Sequence, residues 1–324
     1  MREKKNPRIT RKDFIKRSSA GLLAAGLFTG FRSPGQSDGE EPQRARPVDD
    51  DGTDSRRLLG KTGIKVTPVG FGASRTMEPV LLQSALDRGI NFLDTGRSYF
   101  NGQNETMVGK VVHDVREKVV IQSKISLRLR QTETDLAASG MTERITKMMQ
   151  SSLDKSLAAL KTDYVDVMLL HGASSVALLG HEAVIGFFEK IRKAGRIRAC
   201  GFSSHTNQVA LMKWVNKNPV YDVVMVPYNH KGSFVHSKSG HYSEWDQPAL
   251  EKELKKAHAQ GIGVVAMKTC SAGPYPVRDA AAADRPEPSF GAALKWVVDH
   301  DYVHSTAVAM GNMDEIDENV RAMP

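Results

Sequence analysis

DYVDVMLLHGASSVALLGHEAVIGFFEKIRKAGRIRACGFS (163–203) contains one complete structural unit. VDVMLLH (165–171) is a short apolar run rich in β-branched residues and reads as a strand buried on both faces. A helical pattern follows over 181–194. RIRACGFS (196–203) then reads as the next strand. A strand that returns through a helix to a second strand makes a parallel pair.

The same alternation extends in both directions. Upstream, strands are expected at VTPVGFG (66–72), NFLD (91–94) and VVIQSK (119–124), followed by helices near 78–89, 104–113 and 142–160. Downstream, a helix near 205–217 leads to DVVMVPY (222–228), a long polar loop (229–248) and a helix near 249–259. GVVAMK (263–268) and STAVAM (305–310) follow, with helices near 289–299 and 313–322. Eight strand–helix units in succession predict an α/β fold of one domain, a (β/α)8 TIM barrel over residues 56–324. The competing architecture is a doubly wound open sheet. It requires a glycine-rich phosphate loop after the first strand, and Gly70-Phe71-Gly72 lacks the third glycine of that loop.

Barrel chemistry lies at the C-terminal strand ends. Asp94, Lys124 and His171 end three successive strands, and Tyr99 lies five residues past the first of them. A lone strand-end Asp usually caps a helix, a lone Lys is solvated, and a lone Tyr packs. Their convergence is what points to a site. A tyrosine is a poor acid at neutral pH. A neighbouring lysine lowers its pKa, an aspartate keeps that lysine charged, and a histidine can hydrogen-bond a carbonyl oxygen. The four together suit reduction of an aldehyde or ketone.

The formal net charge of +8 is unevenly placed. Residues 1–17 carry eight Lys/Arg and two Asp/Glu, whereas residues 18–324 hold 37 basic and 35 acidic side chains. A near-neutral body gives no footprint for nucleic acid. Cys200 and Cys270 form no CxxC pair, and the histidines lack HExxH and HxH spacing, so no metal is expected. After the basic start, SSAGLLAAGLFTGF (18–31) has the length of a signal h-region. Thr10-Arg11-Lys12-Asp13-Phe14-Ile15-Lys16 resembles a twin-arginine export signal, with Lys12 in place of the second arginine. Residues 1–31 are therefore expected to be a signal-like segment read by the twin-arginine export machinery, with no clear A-x-A cleavage site after it. The barrel would then be periplasmic or membrane-anchored outside the cytoplasm; without a working signal it would be cytoplasmic. Residues 32–55, almost free of aliphatics, read as a disordered linker.

At the four strand-end residues the chain resembles the aldo/keto reductase family. DTGRSYFNGQNETMVGKVV (94–112) is similar to that family's Asp–Tyr motif opening a helix, VVIQSKI carries its lysine, and DYVDVMLLHG its histidine. GFSSH (201–205) is similar to the segment that holds the nicotinamide carboxamide, and DENVRAM (317–323) to the terminal helix motif. The resemblance implies a (β/α)8 barrel that passes hydride from NADP(H) or NAD(H) to a small carbonyl substrate. Carried over, Tyr99 is the general acid, Lys124 lowers its pKa, Asp94 pairs with Lys124, and His171 orients the substrate oxygen. Ser203 and Ser204 align with a Ser-Asn pair on the carboxamide. Met225 and Met267 stand where a glutamine and a stacking aromatic are usual.

The resemblance places Lys268 and Lys231 as candidates for the pyrophosphate. Gly311, Asn312 and Glu315 replace the Lys-Ser and Arg that grip a 2′-phosphate, which leaves NADH in contention with NADPH. Family members carry a pocket-forming segment past the terminal helix. The sequence stops at Pro324, so either the site is more open or the sequence ends short of that segment; Phe234, Tyr242 and Trp245 in loop 229–248 give that loop apolar mass to cover a cofactor or substrate. A non-catalytic, cofactor-binding regulatory subunit of the same fold is the alternative. Neither oligomeric state nor substrate identity is legible.

Overall fold

The structure, a computed structural model, describes residues 55–127, 136–236, 240–270 and 290–324. The signal-like segment and all of the linker except Ser55 lie outside the described residues. Ser55–Pro324 form one unit. Its centre is a closed barrel of eight parallel strands. In chain order these are β3 (Gly70–Gly72), β4 (Phe92–Asp94), β5 (Val120–Ile125), β6 (Val165–Leu170), β7 (Ile197–Ser203), β8 (Val223–Pro227), β11 (Gly263–Met267) and β12 (Ser305–Val308). Each pairs with the next, and β12 closes onto β3 through Ala307↔Gly70 and Val308↔Phe71. The fold is thus a single-domain (β/α)8 TIM barrel, as the alternation predicts.

Two short hairpins lie outside that pattern. β1 (Arg57–Leu58) and β2 (Lys65–Val66) pair antiparallel before the barrel begins. Their Leu59, Ile64 and Val66 are fully buried in the cluster that fills the barrel, with Phe92, Val120, Val167, Val223, Met225, Val265 and Met267. Each such aliphatic contributes roughly 1.5–3 kcal/mol by leaving water. Gly60 makes this plug fit, because its φ is +56° and a Cβ there would lie 2.4 Å from the Gly261 carbonyl oxygen. The first expected strand is accordingly shorter than 66–72: Val66 belongs to the hairpin, and Pro68 separates it from Gly70.

The second hairpin changes the reading of loop 229–248. β9 (Ser233–Val235) pairs antiparallel with β10 (Tyr242–Glu244) in the register Phe234↔Ser243. Phe234 is buried and packs on Trp245 with ring centroids 6.4 Å apart, whereas Tyr242 faces solvent and bonds Glu244. Tyr242 therefore adds no apolar cover; period-two alternation puts it on the outer face.

The outer helices match the predicted pattern closely. Met141–Leu160 buries Met141, Ile145, Met149, Leu153, Leu157 and Leu160, a single stripe at the 3.6-residue period. The expected helix 181–194 is two pieces, Val176–Leu179 and Glu182–Lys193, capped by Ser175 and His181. Among the described residues no helix is long and apolar enough to cross a membrane.

Candidate functional site

Asp94 closes β4, Lys124 is the penultimate residue of β5, and His171 directly follows β6. Pairing Asp94↔Gln122 and Lys124↔Leu169 places them at one end of adjacent strands. Lys124 Nζ donates to Asp94 Oδ1 at 2.5 Å and to the Thr95 carbonyl at 2.7 Å. Both side chains are almost fully buried. Tyr99 opens the turn Tyr99–Gly102, with Lys124 Nζ 4.8 Å from its ring centroid. The His171 ring meets the Tyr99 ring edge-on, with centroids 5.8 Å apart. The four residues named from the sequence are thus brought together.

The chain after Tyr99 is unusual. Phe100, Asn101 and Gly102 are all left-handed, with φ of 47°, 53° and 88°. Such a run costs free energy for the two non-glycine residues, so neighbours must hold it. They do so from the helix Gln103–Val111. Buried Asn104 accepts from Thr95 Oγ1 at 2.7 Å and donates to the Ala73 and Thr76 carbonyls at 2.9 Å. Buried Glu105 accepts from Ser123 Oγ at 2.6 Å, and its other carboxylate oxygen lies 2.9 Å from Arg97 Nη1. Gly102 leaves the space that the Arg97 guanidinium fills; a Cβ there would overlap it.

The electrostatics are set mainly by burial. Burial disfavours the charge on Lys124, but Asp94 and Tyr99 more than offset it and the ammonium pKa is raised. For Tyr99, burial raises the phenol pKa above its usual value, while the Lys124 charge pulls it down. The lysine acts in the expected direction, but the net shift is upward and the phenol keeps its proton. His171 is held neutral, its pKa lowered to about 3 by burial, Lys124 and His205.

Three further residues belong to the site. Gln122 is fully buried and donates to Asp94 Oδ1 at 2.7 Å and to Met225 Sδ at 3.4 Å, bracing the aspartate from beneath. A polar residue inside the apolar run VVIQSK was its signal. Ser98 and Ser126 both contact His171 Nδ1, at 3.2 and 3.1 Å. Serines in turns carry no local signal that could have found them.

The expected cofactor residues divide. Ser203 ends β7 buried. Its Oγ accepts from Gly172 N at 3.1 Å, leaving its own proton without an acceptor among the described residues. Ser204 is different. Its hydroxyl donates to Thr206 O and accepts from Thr206 N, a closed local turn that leaves it little for a carboxamide. Met267 and Met225 sit in the barrel cluster. Lys268 has a left-handed φ of 59°, and its Nζ lies 5.5 Å from the Phe234 ring centroid. Burial and then Arg75 lower its pKa, so two cations share this part of the mouth. Lys231 lies in the turn after β8, where its backbone N–H bonds Asn229.

Asn312 caps the helix Met313–Arg321, its side chain accepting from Glu315 N. Glu315 folds back to accept from Gly311 N at 2.7 Å and Asn312 Nδ2 at 3.1 Å. The helix start thus carries its own carboxylate. Among the described residues no group of three or more His, Cys, Asp or Glu is arranged to hold a metal ion.

Burial of neutral imidazoles predicts acid sensitivity. His171 is lowered to about 3, and His205 and His304 to about 4, in each case by burial first. In the unfolded chain each titrates near 6.5. As pH falls below about 6.5 the unfolded state therefore binds protons the native state does not. Stability drops toward pH 4 by about 1.4 kcal/mol per pH unit for each histidine in that window. Thermal melts are expected to fall steadily between about pH 7 and pH 4.5, and a flat profile would contradict the burial.

A closed (β/α)8 barrel whose mouth gathers an ion pair, a phenol and a neutral imidazole is built as an enzyme scaffold is built. The profile of the Aldo/keto reductase family matches residues 73–288, and the chain belongs to that family. It is 28% identical over 175 residues to the uncharacterized oxidoreductase YqkF of Bacillus subtilis (strain 168), covering 52% of this chain and 55% of that protein. The chain spans about half the length of the curated relatives it matches at this level. The holo form of aldo-keto reductase AKR11C1 from Bacillus halodurans superposes with a TM-score of 0.64 at 22% identity, covering 82% of this chain and 90% of that one. An aldo/keto reductase from Klebsiella pneumoniae in complex with NADP and acetate gives 0.58 at 21% identity, covering 82% and 89%. These structural likenesses bear on the fold.

Proposed function

We propose that the chain is a nicotinamide-dependent reductase that converts an aldehyde or ketone to an alcohol, with Tyr99 as the acid. The observation that carries this reading is the buried Lys124–Asp94 pair, with Lys124 Nζ 4.8 Å from the Tyr99 ring centroid and His171 packed edge-on against that ring. The assembled set favours an enzyme over a regulatory subunit.

The residues fit a nicotinamide cofactor in part. Ser203 offers an unused hydroxyl proton for a carboxamide, the Met267 thioether can cover a ring face, and Lys268 with Arg75 supplies positive charge for a pyrophosphate. The Klebsiella protein's complex with NADP supports this class of cofactor. When bound, the reduced nicotinamide supplies the hydride. The protein's own residues do the rest. His171 holds the substrate oxygen, Tyr99 delivers its phenolic proton to that oxygen, and Lys124 stabilises the phenolate left behind. Asp94 keeps Lys124 charged, and Gln122 keeps Asp94 in place.

Glu315 bears on which cofactor is taken. The family resemblance puts the 2′-phosphate beside Gly311, Asn312 and Glu315, and the Glu315 carboxylate already occupies those donors. A repulsion of only about 1.4 kcal/mol gives tenfold discrimination. The purified full-length chain is therefore expected to reduce aldehydes with a kcat/KM about tenfold or more higher for NADH than for NADPH. Glu315→Gln should narrow that ratio. Tight binding of either cofactor with no turnover across a broad carbonyl panel would favour the regulatory-subunit reading.

A further inference from the structure

His205 lies two residues past the end of β7, at the barrel mouth. Its ring packs against Phe234 of β9 and against His236, which directly follows that strand, with centroids 6.2 and 6.3 Å apart. Its Nδ1 is sealed from solvent and has no hydrogen-bond partner among the described residues. Packing on Phe234 requires only an aromatic ring and does not account for a nitrogen. Buried polar atoms are normally paired, and one that is not points to a role outside the fold's own bonding.

The groups that act electrostatically on His205 are Lys268, His236 and Lys124, and no carboxylate is among them. With burial they hold the imidazole neutral, its pKa lowered to about 4. Asp94, the carboxylate of the reacting set, is already taken by Lys124 and Gln122. A neutral imidazole has one N–H to give. On the sealed Nδ1 that proton would have no acceptor, so it belongs on Nε2, the nitrogen left to a ligand at the half-buried ring's open edge. An N–H donor in a positive field with no acid beside it suits an oxyanion.

We propose that His205 is a specificity-determining residue that binds a carboxylate carried by the carbonyl substrate, with the charge of Lys268 drawing that group in. The substrates are then oxo acids. The register Leu170↔Phe202 sets Ser203 level with His171 on the neighbouring strand. His205 is two residues further out, up to about 7 Å, a span that a para-substituted benzene ring covers. The diphosphate of the cofactor shares this oxyanion chemistry. Two observations favour the substrate as its source. His205 acts on His171 and feels Lys124, so it lies within reach of the reacting residues. Arg75 acts on Lys268 but is not among the groups acting on His205, which puts His205 on the reacting side of that lysine. That the ligand is a carbonyl compound rests on the proposed reductase reading; the carboxylate subsite does not.

The test has two readouts on the full-length protein. In steady-state reduction the wild type is expected to prefer 4-carboxybenzaldehyde over benzaldehyde, as a ratio of kcat/KM values, by about tenfold or more, as for one hydrogen bond to a charged group. His205→Phe keeps the ring on Phe234 and removes the donor, so that ratio should fall about tenfold. His205→Gln, which keeps an N–H, should retain part of it. Calorimetry reports the subsite without turnover. The alcohol product 4-(hydroxymethyl)benzoate, titrated into protein saturated with oxidised cofactor, should bind about tenfold more weakly to His205→Phe than to the wild type, whereas benzyl alcohol should not distinguish them. A wild-type ratio near one would overturn the proposal, as would a ratio that His205→Phe leaves unchanged, which would reduce the ring to packing. A loss of NADH affinity in His205→Phe with the ratio unchanged would give the anion to the cofactor's diphosphate and equally overturn it. If neither aldehyde is reduced by any form, the reductase reading fails and the calorimetry still decides the carboxylate subsite.

Discussion

Tyr99→Phe is expected to lower carbonyl reduction about a thousandfold while leaving cofactor affinity and the melting temperature nearly unchanged. A positioned general acid contributes typically 10²–10⁴-fold, and phenylalanine keeps the ring while removing the only proton it could give. The ring packs edge-on against His171 and beside Lys124, contacts that phenylalanine retains. The burial that raises the Tyr99 pKa makes the phenol a better-retained proton source but a weaker acid. Lys124 corrects this by favouring the phenolate, so its effect falls on the step in which charge develops. Steady-state rates with saturating cofactor, paired with a fluorescence titration of cofactor, separate the two quantities. A loss of less than tenfold would remove Tyr99 from the role of acid. A parallel loss of cofactor affinity would recast it as a binding residue.

Asp94, Lys124 and His171 were legible because each interrupts an apolar run at the same end of a strand, a pattern that buried strands otherwise avoid. Tyr99 was legible from the family motif and its distance from Asp94. What escaped reading depends on contacts between distant segments. Ser98 and Ser126 meet His171 across 73 and 45 residues, and nothing in a turn serine announces that. The β1–β2 and β9–β10 hairpins escaped because strands of two or three residues leave no alternation to count. Ser204 was placed by analogy, yet its hydroxyl is closed onto Thr206 two residues on. Glu315 could be named as a charge near a phosphate site. That it also caps the helix was implicit in the spacing Asn312-x-x-Glu315, which reads as a capping box.

The same physics that makes Lys124 useful makes it hazardous to remove alone. Lys124→Met leaves the Asp94 carboxylate buried, with Gln122 as its remaining side-chain donor among the described residues. Breaking a buried pair on one side typically costs 3–5 kcal/mol, because the surviving charge has lost its counterion in a dry interior. Lys124→Met is therefore expected to lower stability by about that amount and to abolish reduction. Replacing both members is different. Asp94→Leu/Lys124→Met removes the two charges together, and such replacements are often neutral or stabilising. Denaturant melts should show the double variant more stable than Lys124→Met alone, while its carbonyl reduction stays as low. Stability would return without activity only if the pair is kept for chemistry rather than for the fold. A double variant as unstable as the single one would mean that the charges themselves hold the mouth together. Recovery of activity alongside stability would mean that Tyr99 needs no cation beside it.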